Sequence, residues 1–274
     1  MLDIALSNLI SIWFGKFAST HFPTPVQNFI NESYVKIMKL DMSEFAPPSS
    51  YPTLNALFTR KLQKPREFPK DEKSVISPCD ALVTEAGDAK KNRALQIKGF
   101  AYSIDELLTD KIDESEREKV YDSKYINLYL SPRDYHRYHA PMDMIVKKAV
   151  YVPGALYPVN LTYLNRIVDL FIKNERVVLE CEDSKKRRFF MVFVGALNVG
   201  KMVFDFDERI QTNAGKKKID VYEYKDPIVL KKGDEIGYFM MGSTVVMFFE
   251  KGMIDLSVKE GEHVKFGDVI GELK

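Results

Sequence analysis

The sequence predicts an α+β fold, with a helical N-terminal region followed by a mainly β body of sandwich or barrel type. Three observations predict it. Before about residue 62, apolar residues recur at three- and four-residue steps, the spacing of one helix face. Beyond about residue 72 the chain becomes a series of short β-type runs separated by Gly, Asp, Asn and Pro. Those runs do not alternate with long helical stretches, and there is no glycine-rich phosphate loop, which excludes a doubly wound nucleotide-binding sheet.

Residues 1–18 carry Leu2, Ile4, Leu6, Leu9, Ile10, Ile12, Trp13, Phe14 and Phe17, interrupted by Asp3, Asn8 and Lys16. A spanning helix needs about 20 apolar residues in succession, which this stretch lacks. A secretory signal would place positive charge ahead of its apolar run, and the only early charge here is Asp3. The segment is expected to lie on something, either a membrane surface or another helix. A second helix should start at Thr24 as N-cap with Pro25 first in the helix, and Val26, Phe29, Ile30, Tyr34, Ile37 and Met38 make its apolar face. Pro47-Pro48-Ser49-Ser50 breaks the chain, and a short helix within 54–62 should turn Phe58 and Leu62 inward and Arg60 and Lys61 outward. Pro65 and Pro69 close this part, dividing the chain into 1–65 and 66–274.

In the body, strands are expected at 81–85, 125–130, 145–152, 177–180, 188–194 and 228–230, with one helix within 103–110. The strongest apolar run, 238–249, reads as two buried strands around a Gly242-Ser243-Thr244 break. The tail repeats a small pattern: Leu230-Lys231-Lys232-Gly233-Asp234-Glu235-Ile236-Gly237 is echoed across 258–271, which includes Lys265-Phe266-Gly267-Asp268. Such turns are similar to those of biotinyl- and lipoyl-type barrels, but the exposed carrier lysine of those domains is missing.

Lys+Arg at 40 against Asp+Glu at 39 give a net charge of +1, so no global field points to nucleic acid. The basic runs 185–188 and 216–218 are either solvated turns or contacts for anionic lipid head groups. Cys79 and Cys181 form neither a metal spacing nor a disulfide framework, which fits a reducing compartment.

The chemistry-bearing residues gather in three places. His136 and His139 lie in Ser131-Pro132-Arg133-Asp134-Tyr135-His136-Arg137-Tyr138-His139, at the end of an apolar strand, and histidine is the side chain suited to moving protons near neutral pH. A metal pair lacks third and fourth ligands at a supporting spacing, so no metal is expected. Asp80 precedes another apolar run, and Ser243 follows a glycine whose unshielded carbonyl a neighbouring hydroxyl can attack. Asp80, His139 and Ser243 together offer an orienter, a base and a nucleophile. Met241 and Val245 stand where a nucleophile elbow needs glycines, which excludes an α/β-hydrolase. Each element also has an ordinary reading: a loop with satisfied histidines, a turn aspartate, a β-bulge at the Gly-Ser break.

Over nearly its whole length the sequence resembles the phosphatidylserine decarboxylases, membrane enzymes that carry a pyruvoyl group. The most specific matches are 131–139 and Met241-Gly242-Ser243-Thr244-Val245. Supporting ones are Phe58-Thr59-Arg60, Ser77-Pro78-Cys79-Asp80, Lys98-Gly99 with Tyr102-Ser103, Tyr151-Val152-Pro153-Gly154, Asn174-Glu175-Arg176 and Val194-Gly195-Ala196. Two departures are Met241 for the usual Leu and Ala81 for the usual Gly.

The resemblance implies self-cleavage between Gly242 and Ser243 into chains 1–242 and 243–274. Ser243 attacks the Gly242 carbonyl, His139 takes the hydroxyl proton and Asp80 orients His139. β-Elimination and loss of ammonia leave a pyruvoyl group in place of Ser243. That cofactor condenses with the phosphatidylserine amine as a Schiff base, and decarboxylation gives phosphatidylethanolamine and CO2. His136 is assigned to protonating the carbon or positioning the carboxylate. Lys98, Tyr102 and Tyr135 are further candidates for substrate contact. The substrate stays in the bilayer, so Leu9, Trp13, Phe14 and Phe17 are expected to seat the enzyme peripherally on the cytoplasmic membrane. The assembly, a homodimer included, is left open. Three other readings are separable by assay. A pyruvoyl enzyme for a soluble amino acid would not sediment with liposomes, a serine hydrolase of lipid esters would keep a Ser243 reactive to fluorophosphonate, and a non-catalytic lipoyl-like module would release no CO2.

Overall fold

The structure, a computed structural model, describes residues 13–97, 100–197, 201–213, 218–240 and 243–274. Leu9, Lys98 and Gly242 lie outside the described residues. Helices are α1 (residues 13–19), α2 (Thr24–Met38), α3 (Leu54–Phe58), α4 (Ile104–Leu108), α5 (Glu114–Glu118), α6 (Leu161–Leu164) and α7 (Leu170–Lys173). Strands are β1 (Ser74–Ile76), β2 (Ala81–Asp88), β3 (Arg93–Ile97), β4 (Phe100–Ser103), β5 (Lys124–Leu130), β6 (Arg137–His139), β7 (Met144–Val152) and β8 (Arg176–Glu182). They continue with β9 (Arg188–Val194), β10 (Met202–Phe204), β11 (Asp220–Leu230), β12 (Glu235–Phe239), β13 (Ser243–Phe249), β14 (Ile254–Leu256), β15 (His263–Val264) and β16 (Val269–Leu273). The fold is α+β and mainly β, and every strand expected from the sequence is present.

The centre is an eight-stranded antiparallel sheet in the order β11-β7-β8-β9-β13-β5-β2-β15. It is open, with β11 and β15 at its edges, where a barrel would have closed. One face packs on the small sheets β1-β16-β14 and β10-β12-β6 through Tyr138, Phe193, Phe204, Phe239, Val245 and Met247. The other face packs on the β3–β4 hairpin and short helices through Tyr102, Leu107, Phe171, Phe190, Val246 and Phe248. Covered on both faces, the central strands are apolar at successive positions instead of alternating, which is why β9 reads Arg-Phe-Phe-Met-Val-Phe-Val. The short helices α5, α6 and α7 carry too few residues for a periodic signal, so the sequence reading missed them.

The N-terminal region differs from expectation in three ways. Pro23, not Thr24, is the N-cap of α2, and it offers no side-chain acceptor. The apolar face of α2 is split: Ile30 and Tyr34 pack toward Leu54 and Leu57, whereas Val26, Phe29 and Ile37 face outward, the last two 72% and 74% exposed. The inward line is completed by polar residues, Gln27 donating to Asn31, and Asn31 Nδ2 donating to the carbonyls of Pro48 and Tyr51. Finally, Arg60, expected outside, is only 2% exposed. Among the described residues no helix is long and apolar enough to cross a membrane.

The repeated tail pattern folds into two matching turns. In each, the aspartate accepts from the lysine N–H three residues back (Lys231 to Asp234 and Lys265 to Asp268, both 2.7 Å). In each, the glycine adopts a positive φ, 87° at Gly233 and 99° at Gly267, which other residues resist. Phe68 lies between the two turns, and a Cβ on Gly233 would meet its ring at 2.2 Å. Gly233→Ala should therefore lower stability by about 1–3 kcal/mol, through backbone strain plus the clash. Denaturant melting of the chain bearing Ser243→Ala checks this without interference from cleavage.

Candidate active site

The histidine segment is shaped by a turn. Asp134 Oδ2 accepts from Ser131 N at 2.7 Å, and Asp134 N donates to Ser131 O, so the chain reverses after β5 and returns as β6. The end of α3 is stapled to this turn. Arg60 Nη2 donates to the carbonyls of Arg133 and Asp134, and Arg137 Nε donates to Thr59 O. Along β6, Tyr138 enters the core and its hydroxyl donates to Val203 O at 2.6 Å, while Arg137 forms an ion pair with Glu235.

His139 is held from four directions. Its amide donates to Pro78 O at 2.8 Å, and its Nδ1 contacts Gly233 O at 3.0 Å. A carbonyl only accepts, so Nδ1 carries the proton and Nε2 is the basic lone pair. Tyr135 donates its hydroxyl to that lone pair at 3.1 Å. Phe266 stacks on the ring at 3.7 Å and 12°. The two tail turns thus bracket His139, one supplying a carbonyl and the other an aromatic face. Burial, reinforced by the nearby Arg137 and Arg66, lowers its pKa to about 4. His139, Tyr135, Leu62, Phe68, Glu235 and Phe266 line a cavity of about 380 Å³.

His136 is fully buried against Phe58 of α3 at 4.0 Å. Its Nδ1 donates to Asp134 O at 2.8 Å, and its Nε2 has no hydrogen-bond partner among the described residues. Burial lowers its pKa to about 3, so the ring is neutral and Nε2 offers a lone pair. Ser131 Oγ and Thr244 Oγ1 are also buried with no partner among the described residues. Ser131 follows Leu130, the β5 residue whose backbone pairs with Ser243 at the start of β13, and Thr244 follows Ser243. Further upstream, Phe239 N donates to His136 O and Met240 N to Lys201 O.

Asp80 does not touch His139. Its carboxylate takes two hydrogen bonds from Arg66, the Nη2–Oδ2 one at 3.0 Å, and a third from Phe266 N at 2.8 Å. Arg66 in turn forms a fork with Glu44 at 2.8 and 2.9 Å. The direct orienting contact expected from the sequence is replaced by an indirect one, in which Asp80 holds the Phe266 backbone and the Phe266 ring holds His139. The physical reason is competition, because a guanidinium offers the carboxylate two charge-assisted bonds where an imidazole offers one. Neither Arg66 nor Phe266 stood out in the sequence, although Phe266 lies in the second copy of the tail pattern.

Of the other candidates, Tyr135 lines the cavity. Tyr102 is fully buried on the opposite face of the sheet, its hydroxyl donating to Asn127 and its ring between Phe171 and Phe248. The run Lys185-Lys186-Arg187-Arg188 forms the β8–β9 turn, and its arginines pair with Asp183, Glu116 and Glu182. Tyr135→Phe should raise the pKa of His139, because the lost hydroxyl stabilised the neutral ring; titration of the ring by NMR would show the upward move.

Residues 54–272, which include the whole central sheet and both histidines, match the family described as phosphatidylserine decarboxylase. The chain is 48% identical over 270 residues to the phosphatidylserine decarboxylase proenzyme of Helicobacter pylori, covering 98% of each chain. It is 46% identical over 263 residues to the proenzyme of the same name from Campylobacter jejuni, covering 94% of this chain and 96% of that one. A relative of the same name from Idiomarina loihiensis is 37% identical over 276 residues, 97% of this chain and 93% of that one. Fold, site and relatives together define an enzyme of the decarboxylase class. The chain belongs to the phosphatidylserine decarboxylase family.

Proposed function

We propose that this chain cleaves itself between Gly242 and Ser243 and then converts phosphatidylserine to phosphatidylethanolamine and CO2, using a pyruvoyl group made from Ser243. The observation that carries this reading is the placement of Ser243. It opens the central strand β13 opposite Leu130, and the segment leaving Leu130 carries buried His136 in the loop and buried His139 on β6. In self-cleavage the Ser243 hydroxyl attacks the Gly242 carbonyl, and His139 Nε2 accepts its proton. Asp80 and Arg66 keep Phe266, and through it His139, in position.

Next to position 243, Thr244 Oγ1 is a buried hydroxyl with no partner among the described residues, a donor available to a carbonyl group; His136 Nε2, likewise without a partner among them, is an available proton acceptor. The pyruvoyl group supplies an electrophilic carbonyl for the substrate amine and a sink for the electrons left by CO2. The substrate ammonium must lose a proton before it reacts, and His136 Nε2 accepts it. The same atom returns the proton to the carbon once CO2 has left. Its tautomer favours this task over holding the substrate carboxylate, which would need a donor.

Region 1–65 is assigned to the membrane, with the enzyme peripheral on the cytoplasmic membrane. Trp13 and Phe17 are exposed on α1, and α2 adds Val26, Phe29 and Ile37, large apolar groups whose exposure suits a bilayer interface. Replacing Phe29 and Ile37 together with serine should reduce co-sedimentation with liposomes about tenfold or more, from the lost apolar burial. The matching Lys-x-Gly-Asp turns support a lipoyl-like reading of the tail.

Intact mass under denaturing conditions tests the central proposal. Two species are expected, one ending at Gly242 and one beginning with a pyruvoyl group, and Ser243→Ala should stay a single chain. An uncleaved wild-type chain that accepts fluorophosphonate on Ser243 would identify a serine hydrolase instead.

A further inference from the structure

Arg60 is a buried charge that forms no ion pair among the described residues, with Asp80 and Asp134 acting on it only from a distance. Its Nη2 is used by the carbonyls of Arg133 and Asp134, but Nε and Nη1, which carry three N–H bonds between them, have no partner among the described residues. Burial lowers its pKa, as expected for a cation removed from water. An unpaired buried ion costs several kcal/mol, so its retention calls for a physical reason. Phe45 covers one face of the guanidinium at 4.4 Å, while the N–H bonds lie in the plane of the group.

Arg60 lies in the wall of a cavity of about 270 Å³, distinct from the one at His139 but sharing Tyr135 and Arg66 with it. The acids of this cavity are already engaged. Glu44 and Asp80 are committed to Arg66, Asp134 caps Ser131 N, and exposed Asp41 caps Ser43 N. Lys39, Arg133 and Lys265 are exposed around it, Lys265 within 3.4 Å of Glu44. Lys39 follows α2 directly, two residues after the outward-facing Ile37.

We propose that this cavity is an anion site, with Arg60 in its wall and Lys39 and Arg133 at its rim, and that it takes the phosphodiester of the phospholipid substrate. The assignment rests on the decarboxylase reading for the identity of the ligand. The site combines a desolvated guanidinium, which gains most from a charge-assisted bond to phosphate, with a rim beside the apolar face assigned to the bilayer. Tyr135 lines this cavity and donates to His139 Nε2, so a phosphate bound here lies one side chain away from the histidine segment.

The test uses full-length protein and two readouts. In the first, glycerophosphoserine, the water-soluble headgroup, is titrated calorimetrically into the uncleaved Ser243→Ala chain, with inorganic phosphate as a parallel arm. In the second, KM and kcat for dihexanoyl phosphatidylserine are measured on the cleaved enzyme. Lys39→Gln with Arg133→Gln alters exposed residues only and leaves the fold intact, and Arg60→Lys keeps the charge while removing the planar donor set. Both variants should weaken glycerophosphoserine binding about tenfold or more and raise KM by a similar factor, with a smaller change in kcat. Equal binding by wild type and both variants overturns the site, whatever the turnover assay shows. Phosphate that binds but is not displaced by glycerophosphoserine overturns the headgroup assignment. A wild-type enzyme that binds glycerophosphoserine through these residues but releases no CO2 overturns the decarboxylase reading and leaves the anion site standing.

Discussion

His139→Asn should leave the chain folded and slow its self-cleavage by about 10²–10⁴-fold, the usual contribution of a positioned general base. The time course of intact mass after refolding measures it. The pH dependence of the wild-type reaction gives a second check. The base must be neutral, and burial has lowered the pKa of His139 from the ordinary 6.5 to about 4. Cleavage should therefore hold its rate from neutral pH down to about pH 5 and fall only as pH approaches 4, below the usual histidine range. Stability follows the same linkage. A pKa depressed in the folded state contributes stability that is complete above the unfolded value and is lost as pH falls through the folded one. For His139 alone the loss between pH 6.5 and 4 is on the order of 3 kcal/mol. An acid limb near pH 6.5 would mean that the base is exposed to water during cleavage, contrary to the packing of Phe266 and Tyr135 around it.

Residues 243–274 should remain bound to residues 1–242 after cleavage until the whole fold melts. β13 is hydrogen-bonded on both sides, to β5 and β9, and Val245 through Phe249 are fully buried. Transfer of those five side chains alone is worth on the order of 10 kcal/mol. The same segment pairs β15 with β2 and β16 with β1, and it supplies Phe266 to His139. Native size-exclusion should give one species containing both chains, and denaturing mass analysis two. In a urea titration, release of the short chain should coincide with loss of β-sheet signal. Release well below that midpoint would show that β13 is not the central strand.

Much of this was legible in the residues themselves. The apolar runs fixed the strands, because a segment covered on both faces must be apolar at successive positions. The segment from Ser131 to His139 marked the two histidines and the polar aromatics around them. The repeated Lys-x-Gly-Asp pattern marked two turns that only glycine can make. Polar residues with buried roles were not legible in the same way. Arg60 at the end of a short helix has the pattern of a solvent-facing residue, and α2 has the pattern of a helix burying its apolar face. Periodicity reports which residues share a face, but not what covers that face. Here Asn31 ties α2 down by its polar side, and the apolar remainder is left outside.

The sequence by itself determined the mainly β class, the Gly242-Ser243 junction, the two histidines and the family resemblance, since these rest on local spacing and on residue chemistry. Only the tertiary structure decided that Asp80 serves Arg66 and the Phe266 backbone, that both tail turns converge on His139, and that Arg60 is buried with three N–H bonds that find no partner among the described residues. These are contacts between residues up to about 200 positions apart, such as Arg66 with Phe266. Their partners are set by how the layers of the sheet stack, and no local pattern records that choice.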